Sequence, residues 1–172
     1  MPKATNAQPR LDRPSMPSDY FLPGQEAALL PWSWAVERLE RAREFWFSTT
    51  RRDGRPHAVP AWGVWLDGAL YFEGSPVTQR ARNLARNPTV SIHLESATEV
   101  VILEGDSRAE AKPGRSLAGR LAAIFAEKYG ESHDYRPEAS QWDAGGLWSM
   151  TPRVAFGWTD FPRDVTRWRF ER

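Results

Sequence analysis

A chain of 172 residues fits one domain of ordinary size, long enough to bury most of its unfolded surface in a single core. Its 23 Lys and Arg face 22 Asp and Glu, a formal charge of +1, so no global cationic field exists to hold a nucleic-acid backbone and anion recognition must be local. The absence of cysteine removes disulfides, thiolate metal ligands and cysteine nucleophiles together.

The first segment, Met1 to Gly24, is rich in Pro, Ser and Asn with scattered apolar residues, so it cannot repay the entropy of ordering by burying a face. It is expected to be a mobile arm ahead of one domain over residues 25–172. It lacks the apolar core of a signal peptide, and no later stretch approaches the roughly 18 apolar residues of a membrane span. A soluble, cytoplasmic protein with no membrane or nucleic-acid partner is the expectation. Most of the nine tryptophans are expected in a core or an interface, because large aromatics bury much area wherever they sit.

Ala35, Val36, Leu39 and Ala42 recur at helical spacing, with Pro31 or Ser33 as the start of that helix. Glu44 to Arg51 switches to strand chemistry, as Phe45 and Phe47 alternate with Trp46 and Ser48. Two Asp-Gly pairs, Asp53-Gly54 and Asp67-Gly68, predict tight hairpins into strands at about Pro56 to Leu66 and Ala69 to Glu73. Pro60 cannot donate to a ladder, so it marks an edge, a bulge or a break facing a ligand. Ser75-Pro76 has the form of an N-cap followed by proline at the first helical position, and the helix should run to about Arg86 before Asn87-Pro88 stops it. Thr89 to Glu95 alternates, and Val100 to Leu103 is an apolar run extending towards Ala111. Leu117 to Tyr129 reads as a helix, and Leu147 to Asp160 and Thr166 to Phe170 as closing strands. Six to eight strands with three helices suit a closed or partly closed antiparallel barrel better than a parallel sheet.

The helix after Ser75 offers free backbone N–H groups, a positive dipole end and hydroxyls at Ser75 and Thr78, a combination that accepts a phosphate. Arg80, Arg82 and Arg86 add charge. Arg82 shares the side of Thr78, whereas Arg80 falls almost opposite if the helix begins at Pro76 and joins the anion only if Thr78 is the cap. An ordinary solvated arginine face on a capped helix is the competing reading of the same residues. Other chemistries find less support. His57, His93 and His133 show no metal-ligand spacing, so no metal is expected. There is no G-x-S-x-G elbow, no G-x-G-x-x-G and no Walker loop. His57, beside Pro56, reads as a half-buried strand residue, and Glu99 and Glu104 as solvent-facing ones.

The segment from Trp46 to Pro88, with DGRPH, then VPAWGVW, then DGALYF and finally T-x-R-x-R-N-L-x-x-N-P, closely resembles the pyridoxamine 5′-phosphate oxidase-like flavin-binding split-barrel superfamily. With the terminal Thr166-Arg167-Trp168-Arg169-Phe170, the resemblance extends from about Pro31 to the end of the chain. It implies a mainly β fold, a six-stranded antiparallel split barrel with peripheral helices, assembled as a homodimer with two cofactors in grooves between protomers. The implied cofactor is FMN or, in a related branch, the deazaflavin F-420, and the implied activity is hydride transfer to or from a small organic substrate. A binding protein for flavin, deazaflavin or haem on the same fold is the implied alternative. Carried onto this chain, the resemblance implies phosphate contacts from Thr78, Arg80, Arg82 and Asn83 and ring contacts from Val59, Pro60, Ala61 and Trp62. Trp168 and Arg169 resemble residues that reach the partner's cofactor. The tail does not resemble the substrate-binding end of genuine pyridoxamine phosphate oxidases, so oxidation of vitamin B6 is not implied. No catalytic residue is assigned.

Overall fold

The computed structural model describes residues 8–20 and 26–171. Eight strands and three α-helices follow in the order β1 (Arg10–Asp12), α1 (Trp32–Arg41), β2 (Glu44–Thr50), β3 (Pro56–Leu66), β4 (Ala69–Glu73), α2 (Gln79–Arg86), β5 (Thr89–His93), β6 (Val100–Glu110), α3 (Arg115–His133), β7 (Leu147–Trp158) and β8 (Thr166–Arg169). The strands form one antiparallel sheet in the order β1-β8-β7-β4-β3-β2-β5-β6, and β6 pairs again with β7. That last pairing closes β2 to β7 into a six-stranded barrel, the expected architecture, with β8 and β1 added outside β7.

Alternation decides which residues fill the barrel. Phe45, Phe47, Leu70, Phe72, Ile92, Leu103 and Met150 point inwards and are fully buried. Each such side chain contributes about 1.5–3 kcal/mol by leaving water. Trp32 of α1 packs edge-on against Trp65, Trp168 and Phe170 and covers one part of this core. A second cluster lies on the outer face of β3, where Val64 meets Leu121, Phe125 and Tyr129 of α3 together with Trp142 and Leu147. The two strand faces are thus claimed by different elements.

Only one hairpin turns as tightly as predicted. Asp67 and Gly68 both have positive φ, 51° and 79°, and join Leu66 directly to Ala69, the mirror-image turn that matches strand twist. At Asp53-Gly54 only Gly54 is left-handed, with φ 84°, and the loop spans residues 51–55 with Arg51 N–H donating to Arg55 O.

Two further expectations change. Arg10–Asp12, inside the segment expected to be a mobile arm, pairs with β8, and Asp12 accepts two hydrogen bonds from Arg167, at 2.7 and 2.9 Å. Residues 1–7 and 21–24 of that arm lie outside the described residues. The second helix begins at Gln79, not at Ser75-Pro76, because Thr78 is its N-cap: the Thr78 hydroxyl accepts from Ala81 N–H at 3.2 Å and donates to Ser75 O at 2.9 Å. Among the described residues no helix is long and apolar enough to cross a membrane.

Candidate cofactor site

The strand β4 ends at Glu73, the chain turns through Gly74 to Val77, and α2 starts under the cap of Thr78. This corner is fixed from the outer face: the Glu73 carboxylate accepts from Tyr135 Oη and from Trp142 Nε1, each at 2.7 Å. Burial first, and then the hydrogen bond to Glu73, pushes the Tyr135 phenol well above its ordinary range, so it remains a donor. Gly74 N–H donates to Gly146 O at 3.0 Å, which pins the corner to the start of β7.

With Thr78 as the cap, Arg80 turns into the mouth of the barrel. It is 8% exposed, and its guanidinium lies 4.7 Å from the Phe47 ring centroid and 5.0 Å from that of Phe72. Its Nη2 donates to Glu73 O at 2.5 Å. No Asp or Glu among the described residues pairs with it, and burial pulls its pKa down to about 10. A guanidinium held from water without a carboxylate is costly, and the aromatic faces offset only part of that cost. Gly74 leaves the approach open: a Cβ there would stand 2.9 Å from Arg80 Nη2.

Asn83, one turn on, is also buried. Its amide donates to Thr49 Oγ1 at 3.0 Å, and its Oδ1 accepts from Gln79 Nε2 at 2.7 Å. The side chain expected to touch phosphate is therefore occupied inside the protein, linking α2 to β2. Arg82 is exposed, with one long contact to Gln79 Oε1 at 3.4 Å. Thr78 and Ser75 are exposed beside it, and the N–H groups of Gln79 and Arg80 take no partner among the described residues. Thr78, Arg80 and Arg82 thus converge on the α2 N-terminus, whereas Asn83 supports it.

Val59, Pro60 and Ala61 lie on the half of β3 that extends beyond β4. From Pro56 to Trp62 this strand pairs with β2 on one side, while β4 joins only from Gly63 onwards. Among the described residues no strand pairs with the other edge there, which agrees with the sequence expectation of an edge or break at Pro60. Val59 and Ala61 face the barrel core, and Pro60 is exposed. The Trp62 indole stacks on Tyr129 at 4.6 Å and meets His133 edge-on at 4.5 Å, so α3 claims its ring.

The terminal pair is not gathered at this site. Trp168, expected to reach a partner's cofactor, is fully buried within its own chain, donates from Nε1 to Leu30 O at 3.1 Å and packs against Trp32 and Trp34. The reason is register: β8 runs between β1 and β7, and alternation sends Trp168 inwards. Arg169 points outwards and contacts Asp12 at 3.3 Å.

Sequence reasoning missed the polar floor of the site. The β2–β3 register sets Thr49 opposite His57, and Thr49 Oγ1 lies 3.4 Å from His57 Nδ1 and 3.3 Å from His57 O. The two-residue turn expected at Asp53-Gly54 would set Thr49 opposite Ala58, one residue out of register; the longer loop over residues 51–55 sets it opposite His57 instead.

Similar folds occur among solved structures. An F420 reductase is 20% identical and superposes with a TM-score of 0.54, over 69% of this chain and 93% of that one. A conserved hypothetical protein from Mycobacterium tuberculosis is 21% identical with a TM-score of 0.60, over 76% and 86%. The haem storage protein HutZ from Vibrio cholerae is 23% identical with a TM-score of 0.54, over 72% and 90%. These likenesses are of fold. No curated protein sequence matches the chain. The sequence profile of pyridoxamine 5′-phosphate oxidase matches residues 35–158, which span all six barrel strands, and the chain belongs to that family.

Proposed function

We propose that this protein is an oxidoreductase that binds FMN or the deazaflavin F-420 and moves a hydride between that cofactor and a small organic substrate. The observation that carries the reading is Arg80, a buried guanidinium without a carboxylate partner at the N-terminus of a helix. A cofactor phosphate supplies the missing negative charge. In this reading Thr78, Arg82 and the N–H groups of Gln79 and Arg80 bind that phosphate with Arg80, and Asn83 holds the helix in place.

The ring system lies along the open edge of β3, where Val59, Pro60 and Ala61 offer backbone groups that β4 does not use. When bound, the flavin or deazaflavin ring supplies the hydride chemistry, and the protein binds, orients and excludes water. A second copy of the chain provides the opposite wall. Support comes from the outer barrel face, where Trp46 stays 37% exposed beside Pro60 and stacks on His93. Such chemistry draws on intracellular reductants, so the reading carries a cytoplasmic location with it.

A non-catalytic binding protein is the second reading, favoured by the likeness in fold to a haem storage protein. Absorbance of the purified protein separates the two: a flavin spectrum, or a deazaflavin band gained with the coenzyme, supports the first, and a Soret band the second. Arg80→Met with Arg82→Ala should weaken FMN or F-420 binding at least tenfold, about 1.4 kcal/mol. Unchanged affinity in a variant with wild-type circular dichroism would remove the phosphate assignment.

A further inference from the structure

The polar cluster beneath α2, in which Thr49, Arg80 and Asn83 are buried and His57 is half-buried, has a composition that a purely structural network does not need. Thr49, His57, Arg80 and Asn83 come from β2, β3 and α2, and meet where the barrel opens under the first turn of that helix. Arg51, half-buried just beyond β2, adds a second cation close enough to act on His57. The carboxylates at the two flanking corners are engaged elsewhere. Asp53, on the same hairpin, pairs with Arg55 at 2.8 Å, and Glu73 turns its carboxylate to Tyr135 and Trp142 on the outer face. His57 is thus faced by Arg51 from the hairpin, Arg80 from α2 and the Thr49 hydroxyl from β2.

We propose that His57 is the proton-carrying member of the phosphate subsite, so that a phosphate-bearing cofactor binds together with one proton. This inference rests on the phosphate reading of the α2 N-terminus given above. Burial, then the charges of Arg51 and Arg80, hold the His57 imidazolium below its ordinary pKa, so the empty site keeps the ring neutral near pH 7. An anion beside Arg80 opposes both arginine fields and raises that pKa. Between the two values, binding takes up a proton, and affinity rises as pH falls through the window. Each unit of separation gives up to about a tenfold gain in affinity. The phosphate monoester of FMN itself gains a proton near pH 6, which acts oppositely but equally on any variant.

The test compares wild type with His57→Gln, whose amide can replace the contact to Thr49, by flavin fluorescence between pH 5.5 and 8.5. The expected result is that the wild-type advantage in FMN affinity grows about three- to tenfold as pH falls. In the wild type, the His57 ring resonance should titrate at higher pH with FMN than without it. Riboflavin, which lacks phosphate, should leave that resonance unmoved, and His93 and His133 serve as internal references. FMN binding with an unshifted His57 titration and a pH-independent ratio would overturn this inference and leave the phosphate reading intact. Failure of FMN and F-420 to bind the wild type at all would overturn the phosphate reading, and this inference with it.

Discussion

The Asn83 side-chain amide donates to the Thr49 hydroxyl across 3.0 Å and so joins α2 to β2 inside the barrel mouth. Both groups are buried, and Gln79 satisfies the Asn83 carbonyl oxygen, so the chain of bonds is complete at that residue. Asn83→Ala should cost about 2 kcal/mol, because it leaves polar groups without partners in a place water does not reach. Urea unfolding should show a lower midpoint with an unchanged slope. Adding Thr49→Val should cost less than its single effect, since the bond is already gone. Full additivity would show that the two residues stabilise the fold independently.

The identity of the helix cap gives a second prediction. Thr78 accepts from Ala81 N–H, whereas Ser75 Oγ has only a 3.5 Å contact with Val77 N–H. Thr78→Ala should cost about 1 kcal/mol, and Thr78→Ser should restore most of it. Ser75→Ala should change the thermal midpoint little, with an effect below about 0.5 kcal/mol. The reverse order would mean that Ser75-Pro76 starts the helix after all.

Much of the barrel was legible because its rules are local. Alternation in Phe45 to Thr50, the Asp67-Gly68 turn and the apolar run from Val100 are each decided by neighbouring residues. The cap of α2 was not, since Ser75 and Thr78 satisfy the same local rule. Choosing Thr78 goes with a tertiary placement, that of Arg80 between Phe47 and Phe72. Strand β1 was invisible for a related reason: Arg10-Leu11-Asp12 has no apolar period, and its anchor is an ion pair from Asp12 to the distant Arg167. At the site, residue types were readable but not their directions. Arg80 and Asn83 both turn inwards, and only Arg80 remains without a counter-charge.

The long β6–β7 ladder yields a third prediction. Its register shifts between Glu104 and Gly105, where β6 meets Pro152 of β7. A Cβ on Gly105 would overlap the Thr151 carbonyl oxygen and stand 2.9 Å from Pro152 Cα, both of them backbone atoms that no rotamer can move. Gly105→Ala should therefore cost on the order of 3 kcal/mol or more and lower the soluble yield. Gly119→Ala is the control, because nothing lies within 4 Å of a Cβ there and the site is helical, so stability should hold or rise. Equal melting temperatures for the two variants would contradict the close approach of β6 and β7.

The Tyr129 hydroxyl ties α3 to the barrel backbone and carries a pH signature. It donates towards Arg43 O at 2.5 Å and Gly63 O at 3.0 Å, and accepts from Gly63 N–H at 3.0 Å. Tyr129→Phe leaves that N–H buried without a partner and should cost about 1–3 kcal/mol. Burial raises the Tyr129 phenol from 10.0 to about 12, outweighing the opposing effect of the Gly63 N–H. Because the folded value is the higher, the contribution of this titration is fully present below pH 10 and disappears as pH rises through about 12. The stability difference between wild type and Tyr129→Phe, measured by urea unfolding, should therefore be constant up to pH 10 and shrink above it. In the folded protein, phenolate absorbance at 295 nm should show one tyrosine fewer titrating near pH 12 in the variant. A difference that stays constant through pH 12 would mean that this hydroxyl ionises like a free tyrosine and does not bridge β3 to the chain entering β2.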